Sequence, residues 1–250
     1  MSYETLITQK ESGIGRVIMN RPEAMNAITP NMLKELKAAV EEAGSDSGVK
    51  IIVLTGAGKA FCAGVDLKSL GDREIVGGKV GDILDVPARE LINAIRTAPK
   101  VVIALVNGFC FTGAMEIMLG CDLVIAAEEA KIGDTHAKWG LRPTWGMSAR
   151  LPRRVGFLKA KEMSFTGDAI TGKEAERIGL VNLAVPLDKL EEALQALAKK
   201  IMANSPQSIA AYKQLYNANE SMPLENSLKL EFSSEFDIAD TGRRLAGFRK

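Results

Sequence analysis

The stretch VNGFCFTGAMEI, residues 106–117, places a glycine-containing turn between an apolar strand pattern and the start of a helix. The run Val101–Val106 predicts a buried strand, and a helix is predicted to begin around Gly113. The first N–H groups of a helix have no intrahelical partner and carry partial positive charge, so they are suited to hold an oxyanion. Glu116 would lie in the first turn, where a carboxylate is most often only a partner of the helix dipole.

The stretch TGAGKAFCAGVDL, residues 55–67, follows another apolar run in the same way. Its small residues allow backbone to approach a ligand closely. The glycines do not have the G-x-G-x-x-G spacing of dinucleotide sites, and no G-K-[ST] of a phosphate loop is present. The pattern alone predicts a ligand loop, or a tight loop that happens to be rich in glycine.

Short apolar runs alternate with helical patterns over most of the chain. Residues 49–54, 101–106 and 123–127 are rich in Val and Ile without alternation, which predicts strands covered on both faces. Helices are predicted at residues 87–96 and 114–119. Strands that alternate with helices favour an α/β fold with parallel crossovers.

After Pro186 the pattern becomes helical. Asp188 with Glu191 is predicted to cap one helix, and Ser205-Pro206 is predicted to start another. Earlier in the chain, Thr29-Pro30 is likewise predicted to start a helix. The chain is therefore divided into a core of residues 1–187 and an α-helical region of residues 188–250. Residues 69–86 have the least pattern and are predicted to form a loop.

Composition excludes several classes of protein. The net charge of +1 gives no reason to expect nucleic acid or an anionic membrane as partner. Three cysteines without C-x-x-C spacing indicate a reducing compartment, and a single histidine excludes a zinc site built on several imidazoles. The apolar runs are too short to span a bilayer. We therefore expect a cytoplasmic protein.

The two glycine-rich stretches resemble, together, the two signatures of the crotonase (enoyl-CoA hydratase/isomerase) superfamily. The resemblance extends to Asn20-Arg21-Pro22 with Asn26-Ala27, to RLPRRVG at residues 150–156 and to AERIGLV at residues 175–181. These motifs cover most of residues 3–190 in the family's order. The resemblance implies a crotonase-type spiral of β-β-α units with a C-terminal helical region that forms a trimer or a dimer of trimers.

In that family, two backbone N–H groups hold the oxygen of a thioester enolate, and the resemblance assigns them here to Val65 and Gly113. Coenzyme A is implied as part of an acyl-CoA substrate, with no permanently bound cofactor and no metal. The residues implied to contact coenzyme A are Ala24, Ala60, Ala63, Asp66, Leu67 and, at the phosphates, Arg21.

Hydratases of the family use two glutamates, and Glu116 matches the one that activates water. The second is expected after residues 131–133, at the position that His136 holds here. Imidazole transfers protons near neutral pH, so Glu116 and His136 are predicted to be the acid–base pair, although a lone histidine can also be structural. Asp134 is close by in sequence and is a further candidate to assist, unless an extended backbone there points its side chain elsewhere.

Four activities are compatible with this pattern. The leading hypothesis is hydration of a 2-enoyl-CoA to a 3-hydroxyacyl-CoA. Isomerisation of an enoyl-CoA needs only one base, and thioester hydrolysis or decarboxylation depends chiefly on the oxyanion site. A non-catalytic CoA-binding protein is the fourth. Trp139, Arg142 and Trp145 replace small residues common in the family, which indicates a reshaped acyl pocket or, for the tryptophans, core packing.

Overall fold

The computed structural model describes residues 3–71 and 75–248, which contain ten strands and nine α-helices. The strands are β1 Leu6–Glu11, β2 Ile14–Met19, β3 Ile51–Gly56, β4 Ala60–Cys62, β5 Val101–Val106, β6 Phe109–Phe111, β7 Leu123–Ala127, β8 Lys131–Gly133, β9 Ile170–Thr171 and β10 Leu183–Val185. The helices are α1 Pro30–Ser45, α2 Asp82–Thr97, α3 Gly113–Gly120, α4 Met147–Thr166, α5 Gly172–Arg177, α6 Leu190–Met202, α7 Pro206–Asn219, α8 Leu224–Ser233 and α9 Thr241–Leu245.

The strands form two sheets that the chain visits in turn. The larger sheet has the order β1-β2-β3-β5-β7-β10, and the smaller has the order β4-β6-β8-β9. All neighbours are parallel except β1 with β2 and β8 with β9. The pairs β3–β4, β5–β6 and β7–β8 each contribute one strand to each sheet, and α2 and α3 connect one pair to the next. This path is a spiral of β-β-α units, so the predicted α/β fold is confirmed.

The central strands are buried on both faces, as their unbroken apolar sequence predicts. In β3, Ile52 and Leu54 belong to a core shared with α1, α2 and α3, whereas Ile51 and Val53 pack on the other face beneath α6. Successive strand side chains point to opposite faces, which separates the two sets. Helix α6 supplies Leu190 and Leu194 to the second core. Helix α6 therefore packs against the large sheet.

Some predicted boundaries were wrong. Helix α2 begins at Asp82, and a 3-10 helix occupies Leu67–Leu70, so the connection between them is shorter than the predicted loop. Residues 72–74 of that loop lie outside the described residues. Asp188 does not cap α6, because it lies in the 3-10 helix Leu187–Lys189 that leads into the helix. Thr29 and Ser205 do cap their helices, by accepting hydrogen bonds from Met32 and Ser208.

Within the described residues, no helix is long and apolar enough to cross a membrane. The division into residues 1–187 and 188–250 stays a prediction.

One largely buried ion pair attaches α7 to the large sheet, with Lys213 7% and Asp122 23% exposed. The Lys213 ammonium on α7 donates to Asp122 Oδ2 at 2.7 Å and to the carbonyls of Ile95 and Lys100, both at 2.9 Å. Asp122 also accepts the Val102 N–H at 2.7 Å. Burial raises the pKa of Asp122, and Lys213 acts in the opposite direction. All three protons of the ammonium are thereby used.

Replacing Lys213 with Met should lower the free energy of unfolding by about 3 kcal/mol, because Asp122 loses its charged partner. Urea denaturation followed by circular dichroism measures this difference. The control is Lys229→Met on α8, where the ammonium is 71% exposed beside Glu225 and should contribute less than about 1 kcal/mol. Equal effects of the two substitutions would contradict the structural role of Lys213.

Candidate active site

The two glycine-rich stretches meet at the ends of the parallel strands β4 and β6. Gly64 has a φ of +95°, and a β-carbon there would lie 2.3 Å from Thr112 Oγ1 and 2.9 Å from the Phe111 carbonyl oxygen. Only glycine satisfies both the left-handed backbone and the lack of space. The contact brings residues 64–65 of the first loop against the start of helix α3.

The two predicted N–H donors line one cavity. Ile28 donates to the Gly64 carbonyl and accepts from the Asp66 N–H, and alternate peptide groups of extended backbone point to opposite sides. The Val65 N–H therefore points away from Ile28. Gly113 is the first residue of α3, where N–H groups have no intrahelical acceptor and the helix dipole is positive. Both residues line a cavity of about 130 Å³, which we call the Glu116 cavity.

Glu116 is fixed by backbone at the floor of this cavity. Its side chain is 1% exposed, and its Oε1 accepts the N–H groups of Trp145 and Met147, each at 2.9 Å. The other oxygen, Oε2, lies 3.7 Å from His136 Nε2. Burial raises the pKa of Glu116, although the two N–H groups and His136 act in the opposite direction. The carboxylate is therefore oriented and prepared to take up a proton.

His136 lies beside Glu116 in the cavity, and Asp134 contacts its ring from the other side, so the condition under which Asp134 would point elsewhere is not met. Asp134 Oδ1 is 2.6 Å from His136 Nδ1. The backbone is not extended there, because β8 ends at Gly133 and a 3-10 helix starts at His136. The chain curls at Thr135, with φ −99° and ψ 11°, which brings the side chains of residues 134 and 136 together. The two residues form a buried pair behind the cavity.

Trp145 is part of the cavity wall as well as of the core. Its ring packs on Gly113, where a β-carbon would lie 2.4 Å from ring carbon Cζ3. The ring nitrogen donates to Asp85 Oδ1 at 2.8 Å, and Thr144 Oγ1 donates to the same oxygen at 2.6 Å. Asp85 therefore holds the segment whose N–H groups bind Glu116. Trp139 and Arg142 also line the cavity.

The residues predicted to contact coenzyme A surround the first loop, but they are not equivalent. Ala63 and Leu67 line the Glu116 cavity, whereas the Ala60 side chain is buried in β4. Arg21 donates to Asp66 Oδ2 at 3.0 Å and to the Ala27 carbonyl at 2.6 Å, so its guanidinium is engaged within the protein. Ala24 ends the 3-10 helix Pro22–Ala24. These coenzyme A contacts stay predictions.

Known proteins resemble this chain over nearly its whole length. The Enoyl-CoA hydratase/isomerase family profile matches residues 9–245. A probable enoyl-CoA hydratase of Rhizobium meliloti is 36% identical over 251 residues, covering 99% of this chain and 96% of the relative. A short-chain-enoyl-CoA hydratase of Clostridium acetobutylicum is 35% identical, covering 99% and 95%. The crystal structure of an enoyl-CoA hydratase from Bacillus anthracis superimposes with a TM-score of 0.85 at 31% identity, covering 91% and 88%.

The chain belongs to the enoyl-CoA hydratase/isomerase family. The resemblance read from the sequence is thereby confirmed, and so is the crotonase fold.

Sequence reasoning missed the residues that support the pair. Asp85, Thr144 and Ser164 lie outside the motifs that carry the family resemblance. Asn26 belongs to a motif, but its task became visible only in the structure: its Nδ2 donates to the Ala57 and Ala60 carbonyls at 2.9 and 2.8 Å and so holds the first loop. A buried polar group needs a hydrogen-bond partner, so a polar residue that finds none within its own helix or strand must reach another element. This requirement is the signal that could have indicated such roles.

Replacing Glu116 with Gln should raise thermal stability at neutral pH. The pKa of Glu116 is higher in the folded protein than its ordinary value of 4.5, so protonation of this carboxyl favours the folded state. The stability that this group contributes is therefore fully present below pH 4.5. The contribution is lost as pH rises through the folded pKa, whereas Gln remains neutral. The Tm difference between variant and wild type should therefore grow from pH 4 to pH 7, as measured by calorimetry.

The control for this measurement is Glu225→Gln on α8, where the side chain is 78% exposed. Its Tm difference from wild type should stay nearly constant over the same pH range. A Glu116→Gln variant that is less stable than wild type at pH 7 would contradict the inference that the buried carboxylate is destabilising.

Proposed function

We propose that this protein adds water to a 2-enoyl-CoA and forms a 3-hydroxyacyl-CoA, with Glu116 and His136 as its proton-transfer groups. The observation that carries the proposal is the convergence of four groups on one cavity: the N–H groups of Val65 and Gly113, the Glu116 carboxylate and His136 Nε2. The names of the curated relatives support hydration as the reaction.

The two N–H groups stabilise charge on the thioester oxygen. Attack of water on the β-carbon moves electrons toward the carbonyl and forms an enolate, whose oxygen carries the negative charge. Two preorganised donors lower this barrier, and each contributes on the order of 3 kcal/mol. Because the donors belong to backbone, the valine side chain at position 65 is compatible with the role.

Glu116 and His136 divide the two proton transfers. Glu116 accepts a proton from water as the oxygen bonds to the β-carbon, and protonated His136 gives its Nε2 proton to the α-carbon. One water is added across the double bond, which leaves Glu116 protonated and His136 neutral. The 3.7 Å separation of Oε2 and Nε2 allows the proton to return from Glu116 to His136, directly or through a water molecule.

A short acyl group fits this site best. The Glu116 cavity has a volume of about 130 Å³, which is small for a ligand pocket, and the Trp145 ring closes it beside Gly113. The relative from Clostridium acetobutylicum is named a short-chain enzyme. We therefore include a short acyl chain, carried on coenzyme A, in the proposal.

We also propose that the protein forms a homo-oligomer and is located in the cytoplasm. Large apolar side chains are exposed on two surfaces, which supports a homo-oligomer, a trimer or a dimer of trimers. They are Phe157, Leu158 and Phe165 on α4, and Tyr212, Tyr216, Leu224, Leu228 and Phe232 on α7 and α8. Cys62, Cys110 and Cys121 are buried free thiols, which supports the reducing cytoplasm as location.

Isomerisation of a 3-enoyl-CoA is the second candidate. It is favoured by one observation: among the described residues that line the cavity, Glu116 is the single carboxylate. One base that moves a proton along the acyl chain is sufficient for that reaction.

The assay that separates these activities uses short- and medium-chain 2-enoyl-CoA and 3-enoyl-CoA esters, followed by chromatography and mass spectrometry. We expect a short 2-enoyl-CoA to gain the mass of one water. Glu116→Gln and His136→Asn should each lower kcat by about 10²- to 10⁴-fold, because each removes one proton-transfer group. Asn keeps an N–H group near the position of Nδ1, so this variant removes Nε2 while it preserves a donor toward Asp134.

Glu225→Gln is the matched control for Glu116→Gln and should keep the wild-type kcat. Conversion of 3-enoyl to 2-enoyl esters at constant mass would favour the isomerase, and release of free coenzyme A would favour hydrolysis. If no ester reacts, or if Glu116→Gln hydrates as fast as wild type, the proposed mechanism is wrong.

A further inference from the structure

The side of the His136 ring opposite Glu116 is held by a second buried carboxylate. Asp134 is 2% exposed and does not line the Glu116 cavity. Its Oδ1 lies 2.6 Å from His136 Nδ1 and accepts the His136 backbone N–H at 3.3 Å. Its Oδ2 accepts the Ser164 hydroxyl from α4 at 2.7 Å. Both oxygens are therefore engaged, and the carboxylate is fixed in position.

An ionised carboxylate only accepts hydrogen bonds, so this arrangement determines where the ring carries its proton. Burial tends to raise the pKa of Asp134, but the hydrogen bonds from His136 and Ser164 outweigh burial and place it below the ordinary value of 3.8. Asp134 is thus ionised near neutral pH. A proton on Nδ1 satisfies the 2.6 Å contact, which leaves Nε2 bare in the neutral ring.

The proposed reaction requires the tautomer in which Nε2 of the neutral ring carries no proton. Nε2 is the nitrogen that faces Glu116 Oε2 at 3.7 Å, and it is the atom that takes up and delivers the proton in the proposed reaction. With the proton on Nε2 in the neutral ring, Nε2 would have no lone pair with which to recover a proton from Glu116. With Nδ1 free of a partner, the ring would also rotate about its side-chain bonds.

We propose that Asp134, held by Ser164, is a positioning residue that keeps His136 in the Nδ1–H form with Nε2 directed at Glu116. The kinetic part of this inference rests on the proposed function, whereas the tautomer does not. In this arrangement Asp134 fixes the orientation of the ring, and it stabilises the imidazolium that protonation of Nε2 creates. His136 thus occupies the position at which the second glutamate of the family is expected, and Asp134 and Ser164 hold it there.

The tautomer can be measured directly, because His136 is the only histidine of the chain. Protein without a histidine tag, labelled with ¹⁵N-histidine, gives ring signals from this residue alone in long-range ¹H–¹⁵N spectra. At a pH where the ring is neutral, we expect a protonated Nδ1 and a bare Nε2 in wild type. A wild-type ring protonated at Nε2 would overturn the inference, whatever happens to the variants.

The variant that tests the role is Asp134→Ala, with Asp134→Asn and Ser164→Ala beside it. In Asp134→Ala the ring should shift toward the Nε2–H form, and kcat for the short 2-enoyl-CoA should fall at least roughly 100-fold while KM changes less than about threefold. Asp134→Asn should recover much of the Nδ1–H form, because its amide oxygen still accepts the proton. Ser164→Ala, which leaves Asp134 in place, should retain the tautomer and lose less activity.

The outcomes separate this inference from the proposed function. A wild-type tautomer in Asp134→Ala, or an unchanged kcat in that variant, would overturn the positioning role even if the protein is a hydratase. A purely structural Asp134 would lower only the Tm. If wild type hydrates no ester but shows the Nδ1–H form, and Asp134→Ala loses it, the hydratase proposal fails and the assignment of the tautomer stands.

Discussion

The close contact between the two glycine-rich loops is the constraint on which the site depends. A missing β-carbon at Gly64 lets the first loop lie against Thr112 and Phe111, at a distance that no other residue would permit. Val65 follows strand β4 and Gly113, the first residue of α3, follows strand β6 of the same small sheet; that contact brings the two residues to one cavity. Two backbone N–H donors from different parts of the chain are thereby brought together, and neither depends on the side chain of its own residue.

A second layer of buried polar groups arranges the proton-transfer pair. Asp85 holds Thr144 and Trp145, and the backbone N–H groups of Trp145 and Met147 hold Glu116. Asp134 lies behind His136 in a comparable way. Asp85 Oδ1 and Glu116 Oε1 each accept two hydrogen bonds, and both oxygens of Asp134 are engaged, which helps to offset the cost of burying these carboxylates. The rigidity of the cavity comes from these supports as much as from the apolar core.

Much of the fold could be predicted because each of its signals is local. The unbroken Val- and Ile-rich runs indicated β5 and β7 with their exact bounds, and the caps at Thr29 and Ser205 fixed two helix starts. Asp188 was misassigned because a cap motif does not reveal that a 3-10 turn intervenes before the helix. In the larger sheet, parallel neighbours such as β2 and β3 are separated by whole helices, so the alternation of strands and helices predicted parallel crossovers but not which strands pair.

The candidate site was predictable where motifs carry it and not where tertiary contacts do. Glu116, Gly113 and Val65 lie in recognisable stretches, and His136 was found by its position relative to them. The pairing of His136 with Asp134 was not predicted, because it depends on the backbone conformation at Thr135, which the residue types do not predict. Asp85 and Ser164 reach the site from helices that packing alone brings close.

The attachment of Lys213 has a consequence for how the chain folds as it is made. Its acceptors lie 91 to 118 residues earlier, at Asp122, Lys100 and Ile95. Until residue 213 has left the ribosome, the carboxylate of Asp122 at the edge of a buried strand lacks its cation. All ten strands of the described residues precede residue 213, since β10 ends at Val185, so the sheet pairs while Asp122 still carries a charge that disfavours its own burial. Contacts of such long sequence separation form slowly, and groups that wait for a distant partner remain exposed during that time.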